Sequence, residues 1–255
     1  MSQSTIDHQN AADESIHGPV IQSRSNILRV ATLNLAHGRK DGLNQLLLGK
    51  KTIHNNLLII AETLIDIEAD VVGLQEADGS SRWSGGFDHV ALLANQARYP
   101  WHHRAGHANG WLFDYGTAIL SRWPLIDKIS HTFPPSPPTL SKGFTLVQVA
   151  WQPDPGRNTI VYVDVVSAHL DFSRQKVREE QIDEMVTVLA NRDKPMIVLG
   201  DFNSDWLAEQ SVVKDLARQL RLKVYQPEST ELGTYVKNGR RLDWILISTE
   251  LEFNR

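Results

Sequence analysis

Two short apolar runs in this chain each end in a tight acidic cluster, and these constrain the fold more than any other feature. Asp70-Val71-Val72-Gly73-Leu74-Gln75-Glu76 is one, and Met196-Ile197-Val198-Leu199-Gly200-Asp201-Phe202-Asn203 is the other. Apolar runs of this length, bounded by glycine and acidic residues, read as buried strands running into loops. Carboxylates at such strand ends lose water, sit against fixed backbone and can converge on one cleft. A hard divalent cation such as Mg²⁺ needs that arrangement, a few oxygen ligands with positions left for water and phosphate. An ordinary strand-to-turn transition also accounts for either cluster taken alone.

Other strands carry polar residues to their ends. Leu28 to Leu35 delivers Asn34, and Ile160 to Leu170 delivers His169. Arg241 to Ser248 starts, rather than ends, with its acid, Asp243. A strand antiparallel to the others would place Asp243 at the same rim. The expectation is one mouth lined by Asn34, Glu76, His169, Asp201, Asn203 and Asp243.

The pieces Thr32-Leu33-Asn34-Leu35, Leu74-Gln75-Glu76, Gly116-Thr117-Ala118-Ile119-Leu120-Ser121-Arg122, Ser167-Ala168-His169-Leu170, Gly200-Asp201-Phe202-Asn203 and Arg241-Leu242-Asp243-Trp244-Ile245 occur in that order. In this the chain resembles the endonuclease/exonuclease/phosphatase (DNase I-like) superfamily. The resemblance implies an α+β fold, a four-layer αββα sandwich of two mostly antiparallel sheets with outer helices. It also implies roles. Glu76 is the principal Mg²⁺ ligand, with Mn²⁺ an alternative ion, and Asn34 stands beside it on metal or phosphate. Asp201 orients or deprotonates the attacking water, Asn203 holds a phosphate oxygen, His169 stabilises charge on the phosphoryl oxygens, and Asp243 completes the acidic rim. The family pattern continues to a final strand carrying Ser-Asp-His. This chain ends at Leu251-Glu252-Phe253-Asn254-Arg255 without it, which implies a fragment of a longer protein or a divergent member, with an opened sheet edge.

Bulk composition fits one domain. The chain has 255 residues, 41% hydrophobic and 22% charged, enough for a sizeable core. The net charge of −4 argues against avid nonspecific binding to nucleic acid, which draws on a basic patch. With no cysteine, disulfides and thiolate metal sites are excluded. Residues 1–26 are polar, lack a signal-peptide layout and read as a disordered tail, leaving 27–255 as the domain. No run is long enough for a membrane-spanning helix, so the default location is cytoplasmic and no obligate protein partner is indicated.

Helical spacing marks 51–68, 87–98, the stretch around Ile182 to Leu189 and the one around Val212 to Leu220. The prolines of Phe133 to Pro138 read as a surface loop between strands rather than a partner motif. His102, His103 and His107 match no helical zinc motif and read as a solvated loop. Arg240 and Arg241 could clamp phosphate or form a surface pair. Arg178 and Gln181 read as a structural contact. Trp83, Trp101 and Trp111 read as core packing, with stacking on a base or headgroup the alternative.

These residues point to a Mg²⁺-dependent phosphoric ester hydrolase, a phosphodiesterase more than a monoesterase. The substrate is a lipid, a small molecule or a nucleic acid. Asn34-Leu35-Ala36-His37-Gly38 resembles sphingomyelinase-like members more than abasic-site nucleases. A DNA or RNA nuclease of the same fold is one alternative, and a noncatalytic metal- or phosphate-binding descendant is the other.

Overall fold

Both faces of the strand that carries Glu76 are apolar, as are those of the strand that carries His169, so each must be covered on two sides. The computed structural model, which describes residues 5–9, 26–39, 49–110, 112–154 and 156–254, meets that demand with two facing sheets. One has the order β2 (Val30–Asn34), β3 (Val71–Asp78), β5 (Asp114–Ser121), β4 (Trp101–Asn109). The other has the order β1 (Thr5–Gln9), β6 (Leu125–Thr132), β7 (Gly143–Trp151), β8 (Val161–His169), β9 (Met196–Asp201), β11 (Asp243–Ile247), β10 (Lys223–Val224). The pairs β2–β3 and β8–β9 are parallel, and the remaining neighbours are antiparallel.

Helices α1 (Lys50–Asp66) and α2 (His89–Gln96) cover the smaller sheet, with Ile53, Leu57, Leu64 and Leu93 packed on Val72, Leu74 and Leu120. Helices α3 (Gln175–Leu189) and α4 (Val212–Gln219) cover the larger one through Ile182, Met185, Leu189 and Leu216 on Phe144, Val166, Val198 and Trp244. Between the sheets lie Val71, Ile119, Val147, Val165, Ile197, Leu199 and Ile247. The layers are therefore the expected αββα. Gly73 sits against β9 of the facing sheet, and a Cβ there would fall 1.9 Å from Leu199 Cδ1.

The helices fall where their apolar spacing predicts, and Asp88 caps α2 by accepting the Ala91 N–H. Two expectations are corrected. Thr5–Gln9, inside the expected disordered tail, pairs with β6 from Thr5↔Thr132 to Gln9↔Lys128; a sheet edge supplies unpaired backbone groups that even a polar segment can satisfy. His102, His103 and His107 are not in a solvated loop but in β4. Alternation there turns His103 and His107 toward the other sheet, where His107 is buried and sits between Thr117 Oγ1 at 2.8 Å and Thr132 Oγ1 at 3.0 Å. The rest of the tail call (10–25), part of the loop after Gly38 (40–48) and Trp111 lie outside the described residues. Among the described residues no helix is long and apolar enough to cross a membrane.

Candidate active site

Strand register assembles most of the expected mouth. His169 pairs with Gly143 on one side and Asp201 on the other, and Asp201 pairs with Asp243. These are the alternate positions that, further along the same strands, carry Val165, Leu199 and Ile247 into the space between sheets. The row at the rim therefore faces the same cleft. From the opposite sheet, Asn34 ends β2 and donates Nδ2–H to Asp201 Oδ2 at 2.9 Å, while its Oδ1 accepts the Ala36 N–H at 2.9 Å.

Glu76 reaches the cleft by a different route. Regular alternation from Val71, Gly73 and Gln75 would turn it toward the helices. A register shift between Leu74 and Ala77 interrupts the β3–β5 ladder, and Glu76 adopts φ of 48°. Such a bulge re-aims a side chain, and the left-handed backbone is a strained choice for a non-glycine residue. Asn203 (φ 49°) and His37 (φ 56°) share that conformation at the same rim.

The electrostatics are those of a site short of positive charge. Burial pushes the Asp201 carboxyl up to about 7, with Asp243 and Glu76 adding to the rise and hydrogen bonds from Asn34 and the Asn203 N–H opposing it. Burial likewise raises Asp243. Glu76 Oε2 and Asp243 Oδ1 are buried and have no aligned hydrogen-bond partner among the described residues. Two buried carboxylate oxygens without an aligned donor on one cleft, the Glu76 oxygen with only the His37 ring nitrogen at 3.2 Å beside it, fit a hard cation. Among the described residues no three His, Cys, Asp or Glu side chains converge as a metal cage, and Mg²⁺ is typically held by one or two carboxylates with water and substrate phosphate.

Sequence reasoning missed Lys142. It sits just before β7, buried, with Nζ 3.3 Å from both ring nitrogens of His169 and 5.5 Å from the Tyr115 ring centre. Burial lowers its pKa, against the pull of Glu76, Asp201 and Asp171. Burial, and then Lys142 itself, hold His169 well below the usual imidazole range, so the ring is neutral and accepts from the ammonium. No periodicity marks such a lysine; the only signal is its position before Gly143 at the end of the proline-rich loop.

Neighbouring residues brace this arrangement. Asn203 Nδ2–H donates to the Leu170 carbonyl at 3.1 Å. Gln181 Oε1 accepts the Asp171 N–H and Arg178 donates to the Asp171 carbonyl, the structural contact expected of that pair. Burial alone would raise the Asp171 carboxyl, but hydrogen bonds from Thr139, the Arg174 N–H and Ser173 outweigh it and bring it to about 2. Thr139 thereby ties the loop of prolines to the segment after His169. Arg241 lies 4.1 Å over the Trp244 ring and donates to the Tyr225 carbonyl, and Arg240 faces Asp205 at 3.6 Å. Neither points to a phosphate clamp.

The model of the endonuclease/exonuclease/phosphatase family matches residues 31–254, and the chain belongs to that family. Sphingomyelinase C of Listeria ivanovii is 26% identical over 132 residues, which is 47% of this chain and 38% of that protein's length. Among solved structures, an endonuclease/exonuclease/phosphatase family protein from Leptotrichia buccalis C-1013-b matches with a TM-score of 0.61 and 15% identity over 89% of each chain. A beta toxin variant from Staphylococcus aureus, described with bound magnesium ions, matches with a TM-score of 0.60 and 17% identity over 88% of this chain and 84% of that one. At these identities the structural likeness shows the fold.

Proposed function

We propose that this chain hydrolyses a phosphoric diester by attack of water on phosphorus, with Mg²⁺ held at Glu76 and, beside it, Asn34. The observation that carries the reading is the rim row of His169, Asp201 and Asp243 on adjacent strands, faced by Glu76, whose buried Oε2 has no aligned hydrogen-bond donor among the described residues. A diester is anionic and repels hydroxide, so positioning and charge compensation are the main tasks. When bound, the metal ion neutralises phosphate charge and makes a water easier to deprotonate. Asp201 takes the proton from that water. Asn34 and the Asn203 N–H fix its two oxygens, and Asp243 keeps its carboxyl basic enough to accept. Lys142 brings the buried positive charge that the phosphoryl oxygens require, and neutral His169 holds Lys142 in place.

The substrate class follows from what surrounds the mouth. Its loops expose Leu140, Phe172, Leu207 and Val236, the last two at 54% and 98%, which favours a diester with an apolar half. The net charge of −4 points away from a nucleic acid backbone. The name of the Listeria relative gives sphingomyelin as its substrate, a diester of that kind. Hydrolysis of bis(p-nitrophenyl) phosphate with and without Mg²⁺, beside Glu76→Ala, tests the reaction. Metal-dependent turnover lost in the variant supports it, and no turnover above the variant from folded protein defeats it. Faster cleavage of sphingomyelin in vesicles than of single-stranded DNA supports the substrate class, and the reverse order defeats it.

A further inference from the structure

We propose that Gln75 and Ser167 are positioning residues, a cross-sheet bridge that holds the bulge carrying Glu76 against the His169 side of the mouth. The inference rests on the reading of Glu76 as the metal ligand. Gln75 precedes Glu76 on β3, and Ser167 lies one inward-facing position below His169 on β8. Both are fully buried. Gln75 Nε2–H donates to Ser167 Oγ at 3.0 Å, and Ser167 Oγ–H returns to the Leu74 carbonyl at 3.1 Å. Gln75 Oε1 accepts the Thr32 hydroxyl at 3.3 Å, and the Gln75 carbonyl accepts the Leu35 N–H at 2.9 Å. Thr32, Gln75 and Ser167 thus stand one or two positions before Asn34, Glu76 and His169.

Deeper on the same two strands, the inward positions are the apolar Val71 and Val165. Apolar contact is not directional, whereas a hydrogen bond is specific in distance and angle, and a buried amide or hydroxyl is costly unless it is bonded. The bridge falls where the fold has given up its usual support. The β3–β5 register shifts between Leu74 and Ala77, so the regular ladder does not set the course of Gln75 and Glu76. The carbonyl that Ser167 binds belongs to the last residue before that shift. Gly73 permits the approach, since a Cβ there would fall 3.2 Å from Ser167 Cβ and Oγ. The two halves of the mouth stand on different sheets, Asn34 and Glu76 on one, His169 and Asp201 on the other. Asn34 and Asp201 tie the sheets at the rim. Gln75 and Ser167 tie them beneath the side that carries Glu76, the side that regular pairing leaves loose.

The test is Mn²⁺ binding to the full chain by isothermal titration calorimetry, with urea denaturation of each variant alongside. Glu76→Ala should abolish binding. Gln75→Met keeps the length of the side chain and loses its polar atoms; it should weaken binding about 10–100-fold, the range for partners behind a metal ligand. Ser167→Ala should weaken it in the same range. That variant removes a single hydroxyl, and it decides the outcome if Gln75→Met does not fold. The double variant should bind little worse than the weaker single one, because the two residues act as one bridge. Ser130→Ala is the control for stability. It breaks another cross-sheet contact, His103 Nε2 to Ser130 Oγ at 3.3 Å, two strands away from β8, and should lower stability without changing Mn²⁺ affinity. Wild-type affinity in Ser167→Ala overturns the proposal alone, as does an equal loss in Ser130→Ala or a double variant whose loss is the product of the two single ones. No binding by the wild-type chain, or binding that survives Glu76→Ala, overturns the Glu76 reading and this proposal together.

Discussion

Asp164 and Asp201 are buried carboxylates on adjacent strands of one sheet, and the molecule treats them in opposite ways. Asp164, at the end of β8 remote from the mouth, is held by Arg192, with Nε 2.5 Å from Oδ2 and Nη2 3.0 Å from Oδ1. Gln148 adds a bond at 3.3 Å, and Arg192 also binds Asp127. Asp201, at the mouth, faces Asp243 and, among the described residues, has amide donors but no guanidinium or ammonium in hydrogen-bond contact. One end of the sheet gives its buried charge full compensation, which holds the sandwich together. The other withholds it, which stores an electrostatic demand that a cation, a proton or a substrate can meet.

Substitutions at the two ends should separate accordingly. Asp201→Asn should cut turnover of bis(p-nitrophenyl) phosphate by about 10²- to 10⁴-fold, the range for losing a general base. Its stability should hold or rise above pH 7. A folded carboxyl raised to about 7 makes its contribution fully below the unfolded value and loses it as pH rises, so removing the acid relieves the fold at high pH. A melting temperature that collapses in Asp201→Asn would break the comparison. Arg192→Ala should do the reverse. Leaving Asp164 buried without its partner should cost about 3–5 kcal/mol, read by urea denaturation, with turnover of the remaining folded enzyme unchanged.

A smaller effect sharpens the contrast from the inter-sheet core. Burial first, then His131, Lys142 and Arg104, bring the His107 imidazole down to about 3. The unfolded ring takes a proton near 6.5, so its stabilising contribution is present above 6.5 and is lost as pH falls from there toward 3. His107→Gln should lose about 1–3 kcal/mol at pH 7 through its hydroxyl partners, and its melting temperature should fall less steeply than wild type between pH 6.5 and 4. Parallel curves would show that His107 carries none of the acid sensitivity.

The residues that were legible in sequence share one property, a position at the end of a strongly patterned strand. Apolar runs ending in Asp201 and His169 revealed both strand and rim, and the antiparallel placement of Asp243 followed from an acid at the start of its run. Lys142 was not legible, because a lysine after a proline-rich loop has no periodic neighbours and its burial depends on β7 meeting β8. The histidines of β4 were misread for a related reason. Polar residues at alternate positions look solvated until a second sheet covers them. Sequence leaves Arg241 open between a phosphate clamp and a surface pair, because its packing on Trp244 depends on tertiary structure.

Local pattern and the family resemblance it carries determined the layers. Strands apolar on both faces and helices apolar on one can bury themselves in few ways, and the ordered family motifs narrowed those to one. Tertiary structure alone decided the chemistry available at the mouth. Alternation would have sent Glu76 toward the helices, and the bulge between Leu74 and Ala77 turns it to the cleft instead. The pKa of Asp201 is likewise set by what stands across the cleft and on the next strand, since charge interactions depend on distance through a low-dielectric interior rather than on order along the chain.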